Sequence, residues 1–343
     1  MGKTDNTDIG FDLSTKQGLF TATADYYNKK TSGILFTPNV LAAVGLNAPV
    51  TNAGTVQNRG FELDLGHANH IGKDFRYSVN AIFSLNRNKV LYLANGTQDQ
   101  GMYINKVGLP YGSFYMLKWT GIYNSQDEIN NSPREAFASP KPGDLKFADA
   151  NGDNKIDAND RQIIKGAFPD YTYSFRVNFG YKNWDLSTFW QGVQGVKHYV
   201  QGWGIDPFRQ GGAPPTFFRN AWTPENHSQT VPAIFDYNGN SGYAPNTSQN
   251  STYYLKDASF LRLKNVRLTY HLMPDLAKRL LMKNASVFIS ADNLFTFTKF
   301  PGDPERLQTG PVSQSGSGTY GATNNYAAYP QIRMFTAGLN VTF

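Results

Sequence analysis

The chain contains no cysteine in its 343 residues, which excludes disulfides and thiolate metal sites. It also lacks any apolar run of the roughly 18 residues that a membrane helix needs. Its mean hydropathy of −0.46 likewise excludes a helical membrane protein. Charged residues make up only 17%, and the net charge of +6 is spread along the chain. No basic stripe for nucleic acid results; the Lys and Arg residues read as a solvated surface. The histidines (His67, His70, His198, His227 and His271) have no neighbouring Cys or Glu at zinc spacing, and no nucleophile-elbow motif occurs. An enzyme is therefore not expected. The first residues, Met1–Asp8, have no apolar core and do not read as a signal peptide. Either the protein stays inside the cell or this is the downstream part of a longer chain.

Aromatics are what the chain does have: 20 Tyr and 24 Phe bring them to 14%. That composition suits an outer-membrane barrel with aromatic girdles and a polar lumen. The last eleven residues show the pattern most clearly. Phe335, Ala337, Leu339, Val341 and Phe343 share one face of an extended segment, and Met334, Thr336, Gly338, Asn340 and Thr342 the other. The same period of two recurs in Phe61/Leu63/Leu65 against Glu62/Asp64, in Tyr77–Leu85, and in Tyr173/Phe175/Val177/Phe179 against Ser174/Arg176/Asn178.

The strands expected are Ile9–Ser14, Gly18–Lys30, Gln57–Gly66, Phe75–Leu91, Gly112–Asn124, Tyr171–Tyr181, Trp184–Gln194, Tyr253–Leu272, Asn284–Phe297 and the terminal strand. Barrel loops alternate short and long, and that rule asks for one more strand, at Gly143–Asp149, for a total of about eleven. Long extracellular loops are expected near 31–56, 94–111, 150–170, 195–252 and 298–331. The apolar phase slips between Leu263 and Val266, so a bulge is expected near Lys264–Asn265.

One constellation carries metal chemistry. Asp149, Asn151, Asp153, Asp157 and Asp160 occupy positions 1, 3, 5, 9 and 12 of a loop, with the Lys155 carbonyl at position 7. A hard cation such as Ca²⁺ takes oxygen ligands at this spacing. Asn154 stands where the usual Gly would be, and Asp160 where a bidentate Glu would be. A metal-free polar turn has the same composition. In the longest loop, Trp203, Phe208, Phe217, Phe218 and Trp222 could stack on a ligand or partner, with Trp203 and Trp222 the candidates. Packing of the loop against itself is the expectation for most of them. Glu62, Asp64 and Arg176 are expected to face the lumen.

Nine stretches in order resemble the SusC/RagA family of TonB-dependent outer-membrane importers of the Bacteroidetes. They include Asp25-Tyr-Tyr-Asn-Lys-Lys-Thr31, Val56-Gln-Asn-Arg-Gly-Phe-Glu62, Pro142-Gly-Asp-Leu-Lys-Phe-Ala-Asp149 and Asp185-Leu-Ser-Thr-Phe-Trp-Gln-Gly192. Trp222-Thr-Pro-Glu-Asn226, Phe260-Leu-Arg-Leu-Lys-Asn265 and Gly302-Asp-Pro-Glu305 follow. The resemblance implies that residues 1–343 are the C-terminal half of a 22-stranded plugged β-barrel in the outer membrane. It further implies import of oligosaccharides or peptides, a SusD-like lipoprotein as lid, and TonB–ExbB–ExbD coupling through an N-terminal part outside this chain. Two other readings fit the strand pattern alone: a passive porin or adhesin barrel, and a soluble β-sandwich binding module.

Overall fold

In the computed structural model, residues 2–36, 51–94, 96–201, 205–208, 213–234, 246, 249–279, 281–305 and 331–343 are described. Nine antiparallel strands form one sheet in the order β1-β2-β3-β4-β5-β6-β7-β8-β9, with every strand beside its sequence neighbour. They are β1 (Lys3–Ser14), β2 (Phe20–Phe36), β3 (Thr51–Ile71), β4 (Phe75–Leu93), β5 (Tyr171–Tyr181), β6 (Trp184–Gln194), β7 (Phe260–His271), β8 (Asn284–Thr298) and β9 (Met334–Thr342). Such an up-and-down meander is the topology of an antiparallel transmembrane barrel wall.

The register joins the period-two patterns of separate strands into two continuous faces. Leu65 lies opposite Ala81, Val177 opposite both Val79 and Thr188, Leu186 opposite Leu268, and Ile289 opposite both Leu268 and Ala337. This apolar face is bare: Phe335 is 72% exposed, Leu339 63% and Ile289 58%. No second sheet packs on it among the described residues, which removes the soluble sandwich reading. Such a face suits hydrocarbon, and the opposite face, rich in Asn, Ser, Thr, Asp and Arg, suits a lumen.

Two expected strands are not wall strands. Residues 112–124 and 143–149 contribute only short pieces, Ser113–Met116, Trp119–Ile122 and Leu145–Phe147, to small separate sheets. Among the described residues the wall thus has nine of the eleven strands expected. The loop rule is met without the other two: β4 passes to β5 by one long excursion, so short and long connections alternate throughout. A strand in a soluble lobe has the same period of two as one in the wall, which is why these segments misled. The connection after β2 is also shorter than expected, because Thr31 pairs with Val56 and Leu35 with Asn52 beyond the expected strand ends.

The bulge falls where the phase slip put it. Lys264 is the extra residue between Trp190↔Leu263 and Phe189↔Asn265, and the β7–β8 register shifts at the same level. Asn293, on β8 opposite, takes a left-handed φ of 53°.

Candidate functional site

At the end of the wall that carries the long loops, the described residues of 97–170 and 196–258, with Phe300, fold into a lobe with its own core. Phe114, Met116, Ile122, Tyr123, Leu145 and Ile156 are almost wholly buried there. A long excursion can stay ordered because it builds this core.

The expected lumenal charges sit on the polar face and bond within the wall. Asp64 accepts from Asn80 at 2.5 Å and Glu62 from Ser84 at 3.2 Å, while the Arg176 guanidinium lies 5.6 Å from the Phe189 ring centroid. Near the short-turn end, Asp185 accepts from Arg76 at 2.5 Å and pairs with His271 at 2.8 Å.

Sequence reasoning missed a buried ion cluster. Arg262, 3% exposed at its side chain, donates to Asp303 at 2.8 Å, to Thr296 at 2.8 Å and to Glu305. Lys264, the bulge residue, reaches Glu305 at 3.2 Å. Asp303 also accepts from the Gln331 backbone N–H at 2.7 Å, so it ties together both ends of the loop that leaves β8. Burial alone would raise the Asp303 carboxyl, but the Gln331 N–H and Arg262 hold it below its ordinary value. The signal is present, since Gly302-Asp-Pro-Glu305 and Phe260-Leu-Arg-Leu-Lys-Asn265 are both among the family-like stretches, but their pairing is a tertiary fact.

Inside the lobe Glu135 is 5% exposed and accepts from the Asn246 amide at 3.0 and 3.2 Å. The same amide donates to the Leu145 carbonyl at 2.5 Å. Burial, reinforced by Asp144 and opposed by the Asn246 hydrogen bond, pushes the Glu135 carboxyl up to about 8.

The Asp/Asn loop closes on itself. Asp149 accepts from the N–H groups of Gly152 and Asn154, Asn151 from Asp153, Asp153 from Lys155, and Asp157 from Asn159. Asp160, fully buried, accepts from Ala150 and Asp157. Asn154 has a φ of 62°, the left-handed turn that its position requires. The donor set, all carboxylate and amide oxygens, suits a hard cation. Among the described residues, however, no group of three or more His, Cys, Asp or Glu side chains is gathered as a metal site.

Trp222 is packed, not presented. It is 8% exposed, its indole N–H donates to Asn124 at 3.2 Å, and its ring stacks on His227 with centroids 5.6 Å apart. A Cβ on Gly143 would meet its ring at 2.6 Å. Phe218 is buried, while Phe217 and Phe208 remain partly exposed. Trp203 lies outside the described residues.

A wall of up-and-down strands with a bare apolar face, a polar inner face and a folded lobe at the long-loop end defines a segment of a transmembrane β-barrel. Sequence comparison narrows the class. TonB-dependent receptor P26 of Formosa agariphila is 31% identical over 357 residues, covering 99% of this chain and 34% of the receptor. Receptor P3 of the same organism is 29% identical over 349 residues. TonB-dependent receptor SusC of Bacteroides thetaiotaomicron is 26% identical over 361 residues, covering 99% of this chain and 32% of SusC. In fold, the chain matches the RagAB peptide transporter with a TM-score of 0.75 at 24% identity, over 99% of this chain and 35% of that one. No family model matches. The chain therefore resembles, along its whole length, TonB-dependent receptors of the SusC/RagA kind, and it spans about a third of the length of the curated relatives it matches.

Proposed function

We propose that this chain is wall and extracellular lobe of an energy-coupled importer in the outer membrane of a Gram-negative, Bacteroidetes-like cell. The observation that carries this reading is the match of one continuous nine-stranded wall, with its lobe, to TonB-dependent receptors over 99% of the chain. In this reading residues 1–343 form the C-terminal part of the barrel domain, and other parts of the protein supply the remaining wall, the plug and the contact with TonB–ExbB–ExbD. The cargo is a nutrient oligosaccharide or peptide, and a SusD-like surface lipoprotein caps the lobe. The chain takes no catalytic role. The test is uptake. Deleting the gene should abolish growth on one such nutrient, and restoring it should rescue growth only while TonB is intact. Growth that survives loss of TonB would favour a passive porin instead.

The Asp149–Asp160 loop enters the proposal as a structural Ca²⁺ loop, with Asp149, Asn151, Asp153, Asp157, Asp160 and the Lys155 carbonyl as ligands. Adding Ca²⁺ to chelator-treated protein should raise the unfolding temperature of the lobe, and Asp149→Ala should cancel the rise. No shift in the wild type would mean that the backbone N–H groups alone hold the loop.

A further inference from the structure

The wall has a notch on one side of β4. The last β5–β4 pair at the long-loop end is Thr172↔Ser84, yet β4 runs on to Leu93, where β3 is the one described wall strand that pairs with it. Further up, Val90 bonds on the side away from β3: its N–H donates to Leu109 at 2.8 Å and its carbonyl accepts from Gly108 at 2.9 Å. The β3–β4 register is unbroken from Val90 down to Phe75, so alternate residues keep the same direction. The backbone N–H and C=O groups of Asn86 and Asn88 therefore point into the gap between Thr172 and Leu109. Among the described residues no backbone group pairs with them. The Asn86 carbonyl accepts only from the neighbouring Arg87 side chain, at 3.3 Å.

A cavity of about 490 Å³ lies along this bare edge. Ser84, Asn86 and Thr172 give it a polar side, and Ile163, Phe168 and Pro110 an apolar one. Ile163 and Phe168 are 42% and 43% exposed, so their apolar surface is open. Lys165 also lines the cavity and is exposed. The notch is held open by fixed contacts. Arg87 donates to the Asp170 carbonyl at 2.7 Å, and Asn88 accepts from the Tyr111 N–H at 2.7 Å through its side chain.

We propose that the β4 edge at Asn86–Asn88 binds an extended peptide by strand addition, seating an apolar side chain in the adjoining cavity. An unpaired strand edge offers alternating donors and acceptors at the spacing of a polypeptide backbone. A sugar has hydroxyls but no such repeat. Leu109, Ile163, Ile164 and Phe168 in the lining give a Leu- or Phe-like side chain an apolar seat, and Lys165 supplies a cation for a terminal carboxylate. This deepens the importer reading by choosing peptide as the cargo class, and it rests on that reading for the notch's opening toward the substrate path.

The test uses the protein purified in detergent from outer membranes, with calorimetric titration of three probes. They are the tripeptide Ala-Phe-Ala, the same tripeptide methylated on its backbone nitrogens, and maltotriose. Ala-Phe-Ala should bind, and methylation, which removes the strand donors but keeps the side chain, should weaken it by about tenfold or more. Asn86→Pro removes one edge N–H that no other strand uses, and should weaken Ala-Phe-Ala by about tenfold. Asn86→Ala, which keeps that N–H, should stay within about threefold. Equal binding of the methylated peptide, binding of maltotriose alone, or no peptide binding would each overturn the proposal. If Asn86→Pro fails to assemble, the methylated probe on the wild type decides. TonB-dependent uptake that persists without peptide binding would sink only this inference; loss of the uptake result would sink the importer reading itself.

Discussion

Glu135 remains protonated at neutral pH because folding removes its carboxyl from water, places it near Asp144 and, among the described residues, gives it only the Asn246 amide as a donor. Its pKa is raised from 4.5 to about 8. The native lobe therefore holds a proton that the unfolded chain gives up. The stability this supplies is complete below pH 4.5, declines as pH rises, and is gone above about 8. Urea unfolding of the lobe, followed by tryptophan fluorescence, should show this decline, with a slope of at most roughly 1.4 kcal/mol per pH unit. Glu135→Gln should flatten it; an unchanged slope would remove Glu135 as its source. Arg262 poses the opposite case, a buried cation shared by Asp303 and Glu305. Arg262→Ala leaves two carboxylates without it and should cost about 3–5 kcal/mol. Protease cleavage between β8 and β9 should then rise sharply. Neither site was legible as a site. Glu135 and Asn246 are 111 residues apart, and a sequence gives no burial for either.

The strands were the legible elements, because a wall between hydrocarbon and water imposes a period of two that composition cannot hide. Val177 and Asn178 are neighbours in β5 that face opposite sides. Val177→Arg should lower assembly in lipid vesicles by roughly 2–4 kcal/mol if it lies near the bilayer middle, and Asn178→Arg by much less. Equal effects would mean that the two faces are misassigned. The bulge was legible for the same reason, since a one-residue slip turns every later side chain over. Deleting Lys264 should give an unbroken register to β6 with Leu261 and Leu263 still on the apolar face, so the wall should assemble, lacking only the Lys264–Glu305 ion pair. Loss of heat-modifiable mobility on gels would show instead that the bulge itself is required. Residues 112–124 and 143–149 were misread because period two marks a half-buried strand anywhere. Whether it joins the wall depends on which strand it pairs with.

At the scale of the molecule, β1 and β9 are the two ends of the sheet, each with one row of backbone groups that no described strand pairs. In hydrocarbon such edges cost several kcal/mol per unpaired group, so the wall requires further strands. An antibody to the lobe should detect, in outer-membrane fractions, a native product well over twice 38.2 kDa. A band at 38.2 kDa would point to a smaller barrel or one shared among chains, and the importer proposal would then be withdrawn.

The sequence by itself determined the all-β barrel wall, its apolar and polar faces, most strand positions and the bulge. Each is local, written in the alternation of adjacent residues by the contrast between lipid and water. Only the tertiary structure decided the number of wall strands, the lobe core that absorbs Trp222, the clusters at Arg262 and Glu135, and the open edge at Asn86. Those depend on which distant segments meet, and partners such as Asn246 or Asp303 leave no period in the chain to mark them.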